Sequence, residues 1–385
     1  MVEATAVHTR TQLADYLGQN LSGEYLSIVG DDEIAQTSTF VKTYLVEAHG
    51  DQADVRDSLG KVFSSVEDRQ DPTLLLLRDS TWSHYIVDIS DPRFIPIHST
   101  AKVAYTDAAI EKLTEGETPG FDRAWMPSEF LFASWRGNLT GFKFRFERSV
   151  EGVRDEELDL IPERSPAGAR RPRFRMVVNE DFTALADYTA IRQSEVFGGR
   201  QTLEHVQFHT GTNGEYISNR IYSNGKIIGS GTSIGAYLET VRMVSVTYAR
   251  TIRRIEECAL GWLEQEGRYT HVGEPLVITF PKHLLVTDVY SLAESIFRPM
   301  RPYRLLGILH SASANRVDVE AIDLHSGDPF AVEMTRAWMR IYLPKGTCGN
   351  VVARLYTNLQ RSMNSDLMLV NGAGEPLIQG RLELG

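Results

Sequence analysis

The sequence predicts an α+β protein in which antiparallel sheets pack against helices. Two runs of strand-forming residues, Glu215–Tyr222 and 226–229, flank the turn residues Asn224 and Gly225. Asn-Gly favours the tight turn that joins antiparallel strands. Apolar residues then recur every three or four positions from Leu238 to Trp262, which predicts one long helix. Because most predicted connections are short hairpins and not crossovers, we expect antiparallel sheets and not a doubly wound parallel one.

The composition is that of an ordinary globular protein. The 385 residues include 42% hydrophobic and 24% charged side chains, with a formal net charge of -11. This charge argues against a protein that coats nucleic acid or anionic membrane non-specifically. The apolar run 74–77 is far too short to span a membrane, and the N-terminus lacks a signal-peptide core. We therefore expect a cytoplasmic protein without membrane contact, whose Cys258 and Cys348 are reduced, buried thiols.

The N-terminal part alternates short helices and strands. Periodicity predicts helices at 9–21, 51–67 and 108–113, strands at 24–30, 73–78 and 84–89, and either state at 39–47 and 125–135. Pro96 cannot donate a ladder hydrogen bond, so the strand at 94–98 is predicted to lie at a sheet edge. Phenylalanines alternate with charged residues after Gly141, which predicts a half-buried strand over residues 138–150.

Residues 151–172 interrupt this pattern. They combine charged runs with Pro162, Pro166 and Gly168 and have no apolar period, which is typical of a linker. We therefore predict an acidic α+β domain over residues 1–150, where most of the excess negative charge lies, followed by a linker over residues 151–172.

Beyond the linker, one order of elements occurs twice. Residues 173–270 predict a strand, a helix, three strands and the long helix, and residues 271–385 predict a strand, a helix, four strands, a helix and a C-terminal hairpin. The sequence thus predicts two tandem β-α-β(3-4)-α modules in the C-terminal region. In topology only, the tandem arrangement resembles that of the TATA-binding protein, and this resemblance concerns the fold and not the function.

Two motifs could hold a ligand. Gly229, Gly231 and Gly235 precede the long helix at a spacing that partly resembles a phosphate-binding turn, but the strand before them is an arm of a tight hairpin. That context favours a sharp turn and a helix cap over a nucleotide site. His205 and His209 lie about 13 Å apart on a predicted strand, too far to share a metal. We expect neither a metal nor a cofactor.

Basic side chains form the candidate binding surface. Four arginines lie opposite the apolar stripe of the long helix, and more arginines follow Phe297 between two prolines, a pattern that suits phosphate contacts. With the hairpin lysine, the predicted nucleic-acid-binding residues are Arg242, Arg250, Arg253, Arg254, Arg298, Arg301, Arg304 and Lys226. The alternatives are a solvated helix face with ion pairs and, after Phe297, a connector whose arginines pair with the acidic N-terminal region.

No catalytic motif is present. There is neither a Gly-x-Ser-x-Gly elbow nor a nuclease signature, so no catalytic residue is assigned and an enzyme is not favoured. The leading hypothesis is a non-catalytic nucleic-acid-binding or scaffold subunit of a larger prokaryotic-type complex, with nucleic acid and a protein as expected partners. Two alternatives stay open: a hydrolase or nuclease with a dispersed site, and a protein–protein adaptor with an acidic docking domain.

Overall fold

A computed structural model describes residues 3–21, 39–116, 120–155, 173–179, 184–192, 194, 197, 199–212, 214–265, 268–313 and 315–378, and the predicted α+β class with antiparallel sheets is confirmed. The helices are α1 (Arg10–Gln19), α2 (Gln52–Val62), α3 (Val103–Glu115), α4 (Ser128–Ser134), α5 (Ala184–Arg192), α6 (Ile234–Glu257), α7 (Val289–Ile296) and α8 (Asn350–Ser362), with a 3-10 turn at Ala4–Ala6.

Along the chain, twelve of the described strands precede the long helix α6 and nine follow it. Before it lie β1 (Val41–Ala48), β2 (Ser65–Asp68), β3 (Leu74–Arg78), β4 (His84–Asp88), β5 (Phe94–Ser99), β6 (Phe121–Arg123), β7 (Asn138–Glu147), β8 (Val153–Asp155), β9 (Arg173–Asn179), β10 (Leu203–Thr212), β11 (Glu215–Tyr222) and β12 (Lys226–Gly231). After it lie β13 (Gly261–Gln265), β14 (Arg268–Val272), β15 (Leu276–Thr279), β16 (Leu284–Val286), β17 (Leu305–Ser313), β18 (Arg316–Asp323), β19 (Pro329–Thr335), β20 (Trp338–Tyr342) and β21 (Met368–Val370).

The larger sheet has eleven strands in the order β2-β3-β4-β5-β1-β12-β11-β10-β7-β9, with β6 also paired to β1. Strand β1 joins the N-terminal strands to the later ones, because Thr43 lies opposite His98 on one side and Ile227 on the other. One sheet therefore combines strands from both sides of the predicted linker, of which residues 156–172 lie outside the described residues. A division at residue 150 stays a prediction about folding units, but the hydrogen bonds of the sheet do not follow it.

A second sheet, β17-β18-β19-β20-β15-β21, contains six strands, and two-stranded pairs form from β13 with β14 and from β8 with β16. Helix α6 packs on one face of the larger sheet through buried residues such as Tyr237, Val244 and Tyr248. Helices α2 and α3 contribute to a separate apolar cluster that contains Tyr44 and Tyr85. In the part of the chain that the structure describes, no helix is both long and apolar enough to cross a membrane.

The structure contains a repeat of strand order, and only its second copy lies within a predicted module, residues 271–385. The chain order from β9 to α6 is as predicted, yet β9 pairs with β7 and lies far from β12. The same arrangement occurs instead in β1-α2-β2-β3-β4-β5 and in β15-α7-β17-β18-β19-β20, with β16 inserted in the second copy. In both, the first strand pairs with the last, and the middle strands form a meander.

Three predicted positions are wrong, the first being the end of the helix at 51–67, since residues 65–67 belong to strand β2. The long helix ends at Glu257 and not at Trp262, because residues from Gly261 onward pair in the β13–β14 hairpin, where Trp262 is 66% exposed. Strand β5 is not at an edge, since it lies between β4 and β1. Pro96 is tolerated there because the pairing with β4 is confined to Ile97 and His98, so the missing N–H of Pro96 interrupts no bond on that side.

Parts of two predictions lie outside the described residues. The predicted strand at 24–30 is one, and the end of the C-terminal hairpin, residues 379–385, is the other. Within the described part, β21 pairs with β15, and Val370 forms a bridge with Pro376 across the turn that begins at Asn371.

Candidate ligand-binding groove

The arginines that follow Phe297 pair with the N-terminal part of the chain. Arg301 forms ion pairs with Glu111 and Glu115 of α3, at 2.5 and 2.9 Å. Arg304 donates to the backbone carbonyl oxygens of Thr114 and Gly116. These contacts match the alternative interpretation, a connector whose arginines meet the acidic region. Arg298 pairs at 3.7 Å with Glu294.

Lys226 lies inside the molecule. Its Nζ is 2.8 Å from both carboxylate oxygens of Asp107 and lies over the rings of Tyr44 and Tyr222. Burial lowers the pKa of Lys226, and Asp107 partly offsets this effect. The ammonium group is therefore engaged with a carboxylate and is not presented on the surface beside the α6 arginines.

The four α6 arginines differ in their surroundings. Arg242 pairs with Glu239 at 2.6 Å, and Arg253 lies 3.9 Å from Asp91. Arg250 and Arg254 form no ion pair with any described residue, and Arg250 is exposed. Only Arg242 and Arg253 of the predicted set lie at the same concave surface, a groove beside α6.

This groove has a volume of about 490 Å³ and lies between α1, α6 and the ends of β4 and β5. Its floor is formed by Phe94, Pro96 and His98, which share one face because alternate residues of a strand point the same way. Its walls are mostly apolar and its rim is charged. The remaining lining residues are Arg10, Leu13, Asp88, Ser90, Asp91, Leu238, Val241, Arg242, Ser245, Val246, Ala249 and Arg253.

His98 is the buried polar group of the floor. Its Nδ1 is 2.8 Å from Oγ1 of Thr43, and that oxygen is 2.7 Å from the hydroxyl oxygen of Tyr237. The Tyr237 hydroxyl also donates to the carbonyl oxygen of Ile227 at 3.2 Å. Burial lowers the pKa of His98 to about 4, so the imidazole is neutral at pH 7.

The charges at the rim are not equally available to a ligand. Arg10 makes two hydrogen bonds to Asp88, at 2.5 and 2.8 Å, and lies 3.3 Å from Asp71. Burial raises the pKa of Asp88, but the hydrogen bonds from Arg10 and Ser90 outweigh it and lower that pKa overall. The Arg253 side chain is 62% exposed; its ion pair with Asp91 is long, at 3.9 Å, and its guanidinium carbon lies 5.8 Å from the centroid of the Phe94 ring. Arg253 is therefore the rim cation with the weakest internal partner.

A second polar cluster, which sequence reasoning did not identify, lies near the C-terminal end of α6. Glu47 is fully buried and contacts Arg93, the Tyr248 hydroxyl and the Cys348 thiol, the last at 3.2 Å. Arg93 also pairs with Glu256. Burial raises the pKa values of Glu47 and Cys348, so the thiol is protonated at neutral pH and is a poor nucleophile. This cluster is better suited to holding α6 than to chemistry.

The histidine pair and the glycines before α6, the two motifs that could have held a ligand, have structural roles. His205 and His209 both lie on β10, as the predicted strand requires. Among the described residues, no group of three or more His, Cys, Asp or Glu side chains could hold a metal ion. Gly229 lies against the ring of Tyr237 and so allows the close approach of α6, whereas Gly231 has a φ of +147° and lies against the backbone of Tyr216 in β11.

The sequence could not indicate that Phe94, Pro96 and His98 form the floor of a groove. They come from a strand that was predicted to lie at a sheet edge because of its proline. Helix α6, which covers them, is more than a hundred residues away in the chain. The period-two spacing of residues 94, 96 and 98 was the available signal. It shows a shared face but not what lies opposite that face.

Comparison with known proteins identifies a family. A model of the MJECL33-like protein family matches residues 1–377, which include the whole groove. The uncharacterized protein MJECL33 of Methanocaldococcus jannaschii is 23% identical over 395 residues, covering 94% of this chain and 94% of that protein. No solved structure matches.

Proposed function

The chain belongs to the MJECL33-like protein family, and we propose that it binds an elongated, largely apolar small molecule with one acidic group in the α6 groove. The observation that supports this most is the combination of an apolar floor and walls with Arg253, an exposed cation at the rim whose ion pair with Asp91 is long, at 3.9 Å. Small-molecule sites typically have volumes of about 300–1,000 Å³ and a few polar groups in an apolar lining.

The shape of the groove suggests an elongated ligand. Arg242 and Arg253 both lie at the groove and are eleven residues apart on α6, which corresponds to about 16 Å along the helix axis. The α6 residues between them that line the groove are Ser245, Val246 and Ala249. A chain-like apolar molecule could follow these residues and place its acidic group against Arg253.

Fluorescence titration with the probe 8-anilinonaphthalene-1-sulfonate tests this proposal. The probe is apolar and carries one sulfonate, and we expect decanoate to compete with it while methyl decanoate, which lacks the charge, competes poorly. Arg253→Gln should weaken binding about tenfold, the effect of losing roughly 1.4 kcal/mol of charge-assisted contact. Ser245→Trp should fill the groove and abolish binding.

Arg250→Gln is the matched control, because Arg250 is exposed on the same helix but does not line the groove. Its affinity should equal that of the unchanged protein. Equal weakening by Arg250→Gln and Arg253→Gln, or unchanged binding in Ser245→Trp, would place the probe elsewhere and overturn the proposal.

The second candidate function is that of a nucleic-acid-binding or scaffold subunit of a larger complex. It is favoured by Arg250 and Arg254, which have no ion pair among the described residues and share α6 with Arg242 and Arg253. A salt-dependent electrophoretic shift of oligonucleotides that is lost in Arg250→Glu supports it. Absence of binding to DNA and RNA at low salt would remove it. Arg301→Glu is a poor probe, because Arg301 pairs with Glu111 and Glu115.

A further inference from the structure

The hydrogen bonds behind the groove indicate one tautomer of His98. A carbonyl oxygen can only accept, so the 3.2 Å contact between Tyr237 and Ile227 is a hydrogen bond only if it takes the single hydroxyl proton of Tyr237. In the 2.7 Å contact between Tyr237 and Thr43 either hydroxyl can donate, and Thr43 is the donor in the one arrangement that makes all three contacts hydrogen bonds. With its only proton used, Thr43 can meet Nδ1 of His98 only as an acceptor. Nδ1 therefore carries the proton.

This tautomer determines what the other ring nitrogen of His98, Nε2, can bind. In a neutral imidazole with a protonated Nδ1, Nε2 has a lone pair and no proton. Nε2 makes no hydrogen bond to any described residue, and His98 forms part of the groove floor. Nε2 is thus the ring atom left to meet a molecule in the groove, and it can only accept a hydrogen bond.

We propose that His98 selects ligands with a hydrogen-bond donor, such as a hydroxyl or amino group on the apolar chain, in addition to the acidic group. This inference rests on the proposed function of the groove and specifies the ligand further. His98 is a specificity-determining residue here, while Thr43 and Tyr237 act through it as positioning residues.

The surroundings of His98 keep it an acceptor. Desolvation disfavours the imidazolium form, and the nearby Arg10 acts in the same direction while Asp88 opposes it. The Tyr237 ring packs directly on Gly229, so closely that a Cβ at residue 229 would lie only 2.3 Å from Cδ2 of the ring. The hydrogen-bond chain is thus fixed at both ends, by a backbone carbonyl and by close packing, before any ligand binds.

Nitrogen-15 NMR of the histidine rings tests the tautomer without a ligand, with the His98 signals assigned through His98→Gln. We expect a protonated Nδ1 and an unprotonated Nε2. In Tyr237→Phe the Thr43 hydroxyl is freed to donate to Nδ1, so the proton should move to Nε2. Thr43→Ser keeps the hydroxyl and should keep the original tautomer. Unchanged signals from the distant, buried His325 would show that each variant is folded.

Binding of hydroxydecanoates then tests the ligand preference. Each positional isomer is compared with its methyl ether, which accepts but cannot donate a hydrogen bond. We expect at least one hydroxydecanoate to bind the unchanged protein about tenfold tighter than its ether, the value of one hydrogen bond that would otherwise be lost. The ratio should fall to about one in Tyr237→Phe.

The outcomes separate the two proposals. If decanoate binds but the free protein has a protonated Nε2, or if every hydroxydecanoate binds like its ether, the inference about His98 is overturned and the groove proposal stands. If none of these acids binds, the groove proposal fails and the ligand preference fails with it, whatever the tautomer.

Discussion

Several ionisable side chains of this protein have properties set by residues distant in sequence. Lys42 is one such side chain. It lies in β1, in which every residue is buried, and its Nζ donates to the carbonyl oxygens of Phe40 and Ala101. Burial, together with repulsion from Lys226, lowers its pKa to about 7 despite the opposing effect of Asp107. A sequence pattern can mark β1 as a strand, but not which carbonyls and charges surround its lysine.

The pKa of Lys42 predicts a dependence of stability on pH. The unfolded chain holds this proton up to the ordinary pKa of 10.5, whereas the folded protein releases it above about 7. The folded state therefore gains stability as the pH rises through this window and loses that gain as the pH falls to about 7. Relative to Lys42→Met, the free energy of unfolding should rise by up to about 1.4 kcal/mol per pH unit.

Urea denaturation of both proteins between pH 7 and pH 9 measures this difference, in which the other titrating groups cancel. Lys112→Met, at an exposed lysine of α3, is the control and should show no slope relative to the unchanged protein. A flat difference for Lys42→Met would mean that Lys42 keeps its ordinary pKa in the folded state.

At the scale of elements, local signals in the sequence were reliable and signals that depend on neighbours were not. The hairpin of β11 and β12 forms around Asn224 and Gly225, and Gly225 has the positive φ of +81° that such turns require. Pro96 led to a wrong edge position, because its tolerance depends on where the pairing with β4 stops. Trp262 fitted a helical period by coincidence, and the hairpin after Gly261 overrides that period.

The glycines near the start of α6 differ in how much space a side chain would have. Gly229 lies under the Tyr237 ring, whereas a Cβ at Gly235 would meet no atom within 4 Å. Gly229→Ala should therefore lower the free energy of unfolding by about 1–3 kcal/mol through overpacking. Gly235→Ala, inside the helix, should raise it by up to about 1 kcal/mol.

Chemical denaturation of the two single variants measures both values. Gly229→Ala should also displace Tyr237 and weaken the tautomer preference of His98, which Gly235→Ala leaves unchanged. A destabilisation of equal size at both positions would show that the close approach of α6 to β12 is not what Gly229 provides.

At the scale of the whole molecule, long-range contacts join the parts that the sequence divided. Arg354 of α8 is buried and forms ion pairs with Asp122 of β6 and Asp323 of β18, so one side chain connects both large sheets. It also donates to the carbonyl oxygen of Tyr303 at 2.9 Å. The sequence marked residues 151–172 as a break from composition alone. Composition records where the chain lacks periodicity, but not which strands pair across that gap.

Loss of Arg354 should be costly. Arg354→Met leaves Asp122 and Asp323 buried without their cation, and breaking a buried pair in this way typically costs about 3–5 kcal/mol. Arg254→Met, at an arginine of α6 with no ion pair among the described residues, should change the free energy of unfolding by less than about 0.5 kcal/mol. Thermal and urea denaturation compare the two variants, and equal effects would contradict a structural role for the cluster.

These contacts predict that the chain unfolds as one unit. Separation at residue 150 would strip β1 of its partner β12 and β7 of its partner β10, exposing strand edges and a β1 in which all eight residues are buried. Tryptophan fluorescence reports both parts, through Trp125 and Trp135 before the predicted linker and Trp338 after it. We expect its urea transition to coincide with that of far-UV circular dichroism, as in two-state unfolding.

Residues 1–150 produced alone should show no cooperative transition and should be prone to aggregation through the open edge of β1. Two separate transitions, or a folded fragment 1–150 with a transition of its own, would instead support the domain boundary that composition suggests.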